Sequence, residues 1–161
     1  MKGLKNLGLV LAMSLVLGIG AGCAKKNTEV PAETPVVDSA ATAVDMAAQT
    51  ITDGIVYFDF DKYDVKPEYR EMLRQKAELM RQYPSIRVRI EGNCDQRGTQ
   101  EYNLALGERR ARAAYEYMVM LGVNPSQLEM ISYGKERPAV QGSGEQAWSM
   151  NRRDDFRVIA R

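Results

Sequence analysis

Histidine is missing from all 161 residues. Imidazole-based triads, proton relays that titrate near neutral pH and most zinc sites are excluded with it. Cysteine is nearly as scarce, with only Cys23 and Cys94, so no framework of disulfides can staple this chain. Charge of one sign is lacking too. The 22 Lys and Arg are balanced by 21 Asp and Glu, whereas a nucleic-acid partner calls for a strongly basic domain. Long apolar runs are also absent: Leu9 to Ile19 spans about eleven residues, against roughly 20 for a bilayer crossing.

What is present at the start reads as an export signal over residues 1–22. Lys2 and Lys5 precede the apolar run, and Gly20, Ala21 and Gly22 lead into Cys23. Cleavage there removes two cations and no acid, leaving 20 basic against 21 acidic residues. A cysteine directly behind a small-residue cleavage site resembles the lipobox of bacterial lipoproteins. Cys23 is therefore the expected lipidation site, carrying palmitate-type chains in the outer-membrane lipid. Two or three chains hold stably where one is marginal. Ala24, rather than an aspartate, fits forwarding to the outer membrane, with the domain facing the periplasm.

Residues 23–50 follow as acylated cysteine and flexible tether, rich in Ala, Thr, Val and Glu with Pro31 and Pro35. Residues 51–161 suit one domain. Ile55 to Phe60 form a β-prone run ended by Asp61. Pro67 opens a helix whose stripe is Tyr69, Leu73, Ala77 and Met80, and Pro84 closes it. Ile86, Val88 and Ile90 then alternate with Arg87, Arg89 and Glu91, the mark of a strand with one wet face.

A loop over 92–99 precedes a second helix, which begins near Thr99 and stops at Gly122. A strand around Leu128 to Tyr133, a long loop with a short helix near 146–152, and a strand through Phe156 and Val158 complete the chain. The predicted fold class is α+β, in the order β-α-β-α-β-β. It is a two-layer sandwich with two main helices on one face of a four-stranded mixed sheet.

The stretches "YFDFDK" (57–62), "EGNCDQRGTQEYNLALGERRA" (91–111), "SYGKERP" (132–138) and "NRR" (151–153) resemble the OmpA C-terminal-like family. "NRRDDF" departs from that pattern, with acids where the family often has apolar residues. The resemblance implies non-covalent binding of peptidoglycan through the meso-diaminopimelate of its stem peptide. It places the family's acid and arginine on Asp95 and Arg110, with Phe60 and Asp61 lining the same pocket. It also implies TolB and the wider Tol complex as partners, in envelope integrity and cell division. No enzyme activity, cofactor, metal or nucleic-acid partner is expected.

The chemistry is consistent with that assignment. The side-chain end of diaminopimelate carries an ammonium and a carboxylate, so it needs one anion and one planar cation at fixed separation. Arg110 would grip the carboxylate with two parallel hydrogen bonds, which lysine cannot copy, and Asp95 would accept from the ammonium. The amino end of the second helix favours an anion beside the loop. Plainer roles stay open: Asp95 fastening its own turn, Arg110 in a structural ion pair, Arg97 and Arg109 solvated, Cys94 packed inertly. Two other functions also compete. One is a cell-wall anchor outside the Tol system; the other is a hydrolase using Asp59, Asp61 and Asp95.

Overall fold

The computed structural model describes residues 39–161. The expected export signal, Cys23 and the first part of the tether lie outside the described residues. The elements run α1 (Ser39–Thr52), β1 (Val56–Tyr57), α2 (Arg70–Gln82), β2 (Arg87–Asn93), α3 (Gln100–Met120), β3 (Leu128–Gly134), α4 (Glu145–Asn151) and β4 (Arg153–Ala160). A 3₁₀ turn, Pro67–Tyr69, leads into α2, and another, Pro125–Gln127, leads into β3. The sheet order is β1-β4-β2-β3, with β2 and β3 parallel and the other pairs antiparallel. The mixed four-stranded sheet and α+β class agree with the sequence. Among the described residues, α1 and α4 add to the two main helices.

One core joins the sheet to the helices. Val88, Ile90 and Phe156 point into it from the sheet, and Leu73, Ala77, Met80, Ala111, Ala114 and Met118 meet them from α2 and α3. The alternation of β2 and the 3.6-residue stripes put these side chains on the facing surfaces. On the opposite face Arg87 is exposed, but Glu91 is buried between Arg89 at 3.1 Å and Arg137 at 3.7 Å. The wet face is therefore drier toward its end than the alternation predicts.

Two expectations are corrected. The first strand is two residues long instead of running to Phe60. After Tyr57, the Phe58 amide still donates to the Arg152 carbonyl at 2.9 Å, but the chain then leaves the sheet and Phe60 is exposed. The tether, expected through residue 50, contains α1 from Ser39 onward. Ala47, Ala48 and Ile51 are buried in the common core, and small alanines let this helix lie close. Lys76 of α2 secures its end. The wholly buried ammonium donates to the Ile51 carbonyl and, at 2.7 Å, to the Asp53 carbonyl. Its third side faces the Phe156 ring at 4.8 Å.

Helix C-termini leave carbonyls without intrahelical donors, and Lys76 supplies the missing ones. Burial lowers its affinity for the proton to a pKa of about 8. Lys76→Met should cost about 1–2 kcal/mol locally, read as faster amide exchange across residues 39–52 with β2 unchanged. Equal acceleration in β2 would refute a local role.

The crossing of α3 over β2 positions everything that follows. A Cβ on Gly92 would lie 2.0 Å from the Gly107 carbonyl oxygen, so helix and strand meet backbone to backbone. Arg110 stands one turn beyond that contact.

Candidate functional site

The loop between β2 and α3 is tied at both ends. Thr99 caps α3, its hydroxyl accepting from the Tyr102 amide at 3.2 Å. Asn103, buried one turn in, donates back to the Arg97 carbonyl at 2.6 Å and the Thr99 carbonyl at 3.0 Å. Gly98, at φ +85°, makes the turn that brings these groups together. Asn103 thus serves as a helix-to-loop staple.

Asp95 is 5% exposed and carries four hydrogen bonds. One oxygen accepts from the Arg97 amide at 3.0 Å and Arg97 Nε at 3.1 Å; the other accepts from Arg97 Nη2 at 2.6 Å and Arg152 Nη1 at 3.3 Å. Burial pushes its carboxyl up. The hydrogen bonds from Arg97, its charge and Arg152 outweigh that and hold it below the ordinary carboxylate value. Asp95 therefore fastens its turn and is anionic as well.

Arg97, read from the sequence as solvated, is half-buried and gripped. Its guanidinium stacks 4.0 Å from the Phe60 ring centroid and 4.1 Å from that of Trp148. Arg152 is buried beneath it, donating to the Phe58 carbonyl at 2.9 Å and pairing with Glu145. Sequence reasoning passed over Arg152 as a site residue. So did it pass over Trp148 (the chain's one tryptophan) and Tyr102. For Arg97 the available signal was its place two positions after Asp95; nothing comparable marked Arg152, Trp148 or Tyr102.

Arg110 has no exposed surface at all. Nε donates to the Lys62 carbonyl at 2.8 Å, Nη1 to the Asn93 carbonyl at 2.9 Å and Cys94 Sγ at 3.4 Å, and Nη2 to the Asp59 carbonyl at 3.3 Å. Of five N–H groups, one on Nη2 is left over. The two-bond grip expected from the sequence is not free in this arrangement, nor is the structural ion pair present: its bonded partners are carbonyls and a thiol. Burial lowers its proton affinity from the usual arginine value.

These groups surround a pocket of about 240 Å³. Asp95, Arg110, Phe60 and Asp61, the four residues singled out in the sequence, all line it, together with Cys94, Arg97, Tyr102, Leu106 and Arg152. Asp61 sits at φ +57°, unusual for a non-glycine residue, and its carboxylate accepts from the Tyr102 hydroxyl across the mouth. Cys94 is buried, donates to the Asn103 carbonyl and has its thiol pushed up to about 11 by burial, so it packs inertly. Arg109 is exposed on α3 and is not among the residues that line the pocket. A small chamber walled by a buried acid, three arginines and two aromatics suits a compact ligand bearing charges of both signs.

The family model described as "OmpA family" matches residues 57–152. The chain belongs to the OmpA family. The peptidoglycan-associated lipoprotein of Pseudomonas putida is 41% identical over 164 residues, spanning 94% of this chain and 97% of that one. The lipoprotein of the same name from Haemophilus influenzae is 50% identical over 98 residues, spanning 61% and 64%. Among solved structures, the crystal structure of the peptidoglycan-associated lipoprotein from Burkholderia pseudomallei is 43% identical with a TM-score of 0.66. It covers 68% of this chain and 92% of that one. The C-terminal domain of Helicobacter pylori MotB, at 18% identity and a TM-score of 0.62 over 67% and 85%, shares the fold.

Proposed function

We propose that this OmpA-family chain is an outer-membrane lipoprotein that binds peptidoglycan without a covalent bond, by taking the meso-diaminopimelate side chain into the pocket between Asp95 and Arg110. One observation carries the reading: a carboxylate held ionised and a buried guanidinium whose bonded partners are carbonyls and a thiol face one chamber. The ligand's carboxylate meets the remaining Nη2 proton of Arg110 and supplies the counter-charge that its carbonyl partners do not. The ammonium is drawn to Asp95 and, at the mouth, to Asp61. Relatives named peptidoglycan-associated lipoproteins support this assignment.

The lipid anchor at Cys23, the tether, the periplasmic orientation and the partnership with TolB and the Tol complex belong to the same proposal. Binding to one stem peptide need only be weak, because many copies act along a continuous polymer. Co-purification of TolB with the chain from solubilised envelopes tests the Tol assignment, and its absence favours a general wall anchor. A hydrolase is disfavoured because Asp95 is held anionic by two arginines, whereas that chemistry wants one carboxyl kept protonated.

Sedimentation with purified sacculi tests the site. Arg110→Lys keeps the charge but cannot hold three carbonyls and also present an N–H to the pocket, and binding should fall at least about tenfold. Sacculi whose stem peptides carry lysine in place of diaminopimelate lack the side-chain carboxylate and should not retain the wild-type chain. Equal retention of both sacculus types would refute recognition of the zwitterion.

A further inference from the structure

Behind Arg110 lies a buried carboxyl group that is not part of the pocket lining. Asp154 of β4 has no exposed surface, and both of its oxygens lack a hydrogen-bond partner. Buried polar groups are almost always paired, so an orphaned carboxyl in a core calls for a physical reason. It is paired with Val56 on one neighbouring strand and Gly92 on the other. Gly92 is the residue on which Gly107 of α3 rests, and Arg110 follows one helical turn later.

Arg110 and Asp154 thus form a buried cation and a buried acid that do not bond each other. Arg110 spends its donors on carbonyls and a thiol, and Asp154 accepts from no one. The other charged or titratable groups whose fields reach Asp154 are Cys94, from the loop above, and its strand neighbours Arg153 and Asp155, which point to the opposite face of the sheet. Cys94 stays a thiol well past neutrality.

We propose that Asp154 is the internal counter-charge of Arg110, and that its protonation state sets how strongly the pocket attracts an anionic ligand group. With Asp154 neutral, the field of Arg110 reaches the pocket undiminished. With Asp154 ionised, that field is largely cancelled from behind, and a carboxylate in the pocket must compete with it. Burial holds the Asp154 carboxyl well above the ordinary carboxylate value, with Arg110 acting in the opposite direction. The titration therefore occurs on the alkaline side of a normal aspartate, and affinity for an anion falls as pH rises through it. The inference rests on the ligand reading given above and adds a residue that tunes it from outside the pocket.

The test is the affinity of the full chain for free meso-diaminopimelate, followed by calorimetry from about pH 5 to about pH 8.5, a range in which an ordinary carboxylate is ionised. Any titration of the ligand's α-ammonium groups is common to wild type and variant and cancels in the comparison. The wild type should weaken about tenfold across that range, each factor of ten being one unit by which the bound anion raises the Asp154 titration. Asp154→Asn, which keeps the shape and removes the charge, should bind equally at both ends of the range. Lys76 titrates in the same range, but it is present in both proteins and cancels in the comparison. Asp154→Val serves as a second neutral variant should the asparagine disturb the fold. A wild-type profile as flat as that of the variants, or variants that keep the wild-type slope, overturns the role of Asp154 and leaves the ligand assignment standing. Absence of binding by the wild type at every pH overturns both.

Discussion

Replacing Arg110 by alanine is expected to destabilise the domain by about 3–5 kcal/mol, the joint effect of a cavity and of carbonyls left without donors. Three backbone oxygens, those of Asp59, Lys62 and Asn93, lose a donor at once, although that of Asp59 keeps the Lys62 amide at 3.2 Å. They belong to two chain segments that α3 would no longer hold together. Against a total stability of about 5–15 kcal/mol, such a loss is large. Urea unfolding should show a lower midpoint with little change in slope. An unchanged midpoint would mean that the arginine is not the staple its contacts describe. The alanine variant is for the same reason a poor probe of binding, and Arg110→Lys, which keeps the charge, is the sharper one.

Asp154→Val should do the reverse and stabilise the domain by about 1–3 kcal/mol at neutral pH, the usual cost of an orphaned buried polar group. Valine suits a strand and removes the two unpartnered oxygens. The sign of the pH dependence follows from the raised proton affinity of the folded state. Asp154 favours folding fully below 3.8, the ordinary value, and that contribution is lost as pH rises toward the folded-state titration. The advantage of the valine variant should be smallest near pH 3.8 and grow on the alkaline side. Asp95 acts oppositely: its folded-state value is depressed, so its contribution disappears only as pH falls below 3.8. Matched thermal melts at several pH values separate the two. A constant difference between wild type and variant would contradict the titration of Asp154.

Much of this architecture was legible in the residues. Alternation in Ile86, Val88 and Ile90 gave β2, and the stripes around Leu73 and Ala111 gave α2 and α3, because these periods record which faces are buried. The four site residues were found to line one pocket. Three things were not legible. Helix α1 is an alanine-rich segment whose helicity depends on packing against the core, so its local pattern resembled a tether. Arg97 looked like surface because its two aromatic partners, Phe60 and Trp148, stand 37 positions before and 51 after it. The carbonyl partners of Arg110 are backbone atoms, which no side-chain motif announces.

The backbone contact between Gly92 and Gly107 has one more implication. It welds α3 to the sheet, so the walls bearing Arg110 and Asp95 cannot slide apart to admit a guest. The remaining wall, the segment around Phe60 and Asp61, has left the sheet and is tied across the opening by the Tyr102 hydroxyl. That flank is held by the Tyr102 hydroxyl, by Arg110 on the Asp59 and Lys62 carbonyls and by Arg97 against Phe60, so the mouth is fastened by the same side chains that line the chamber.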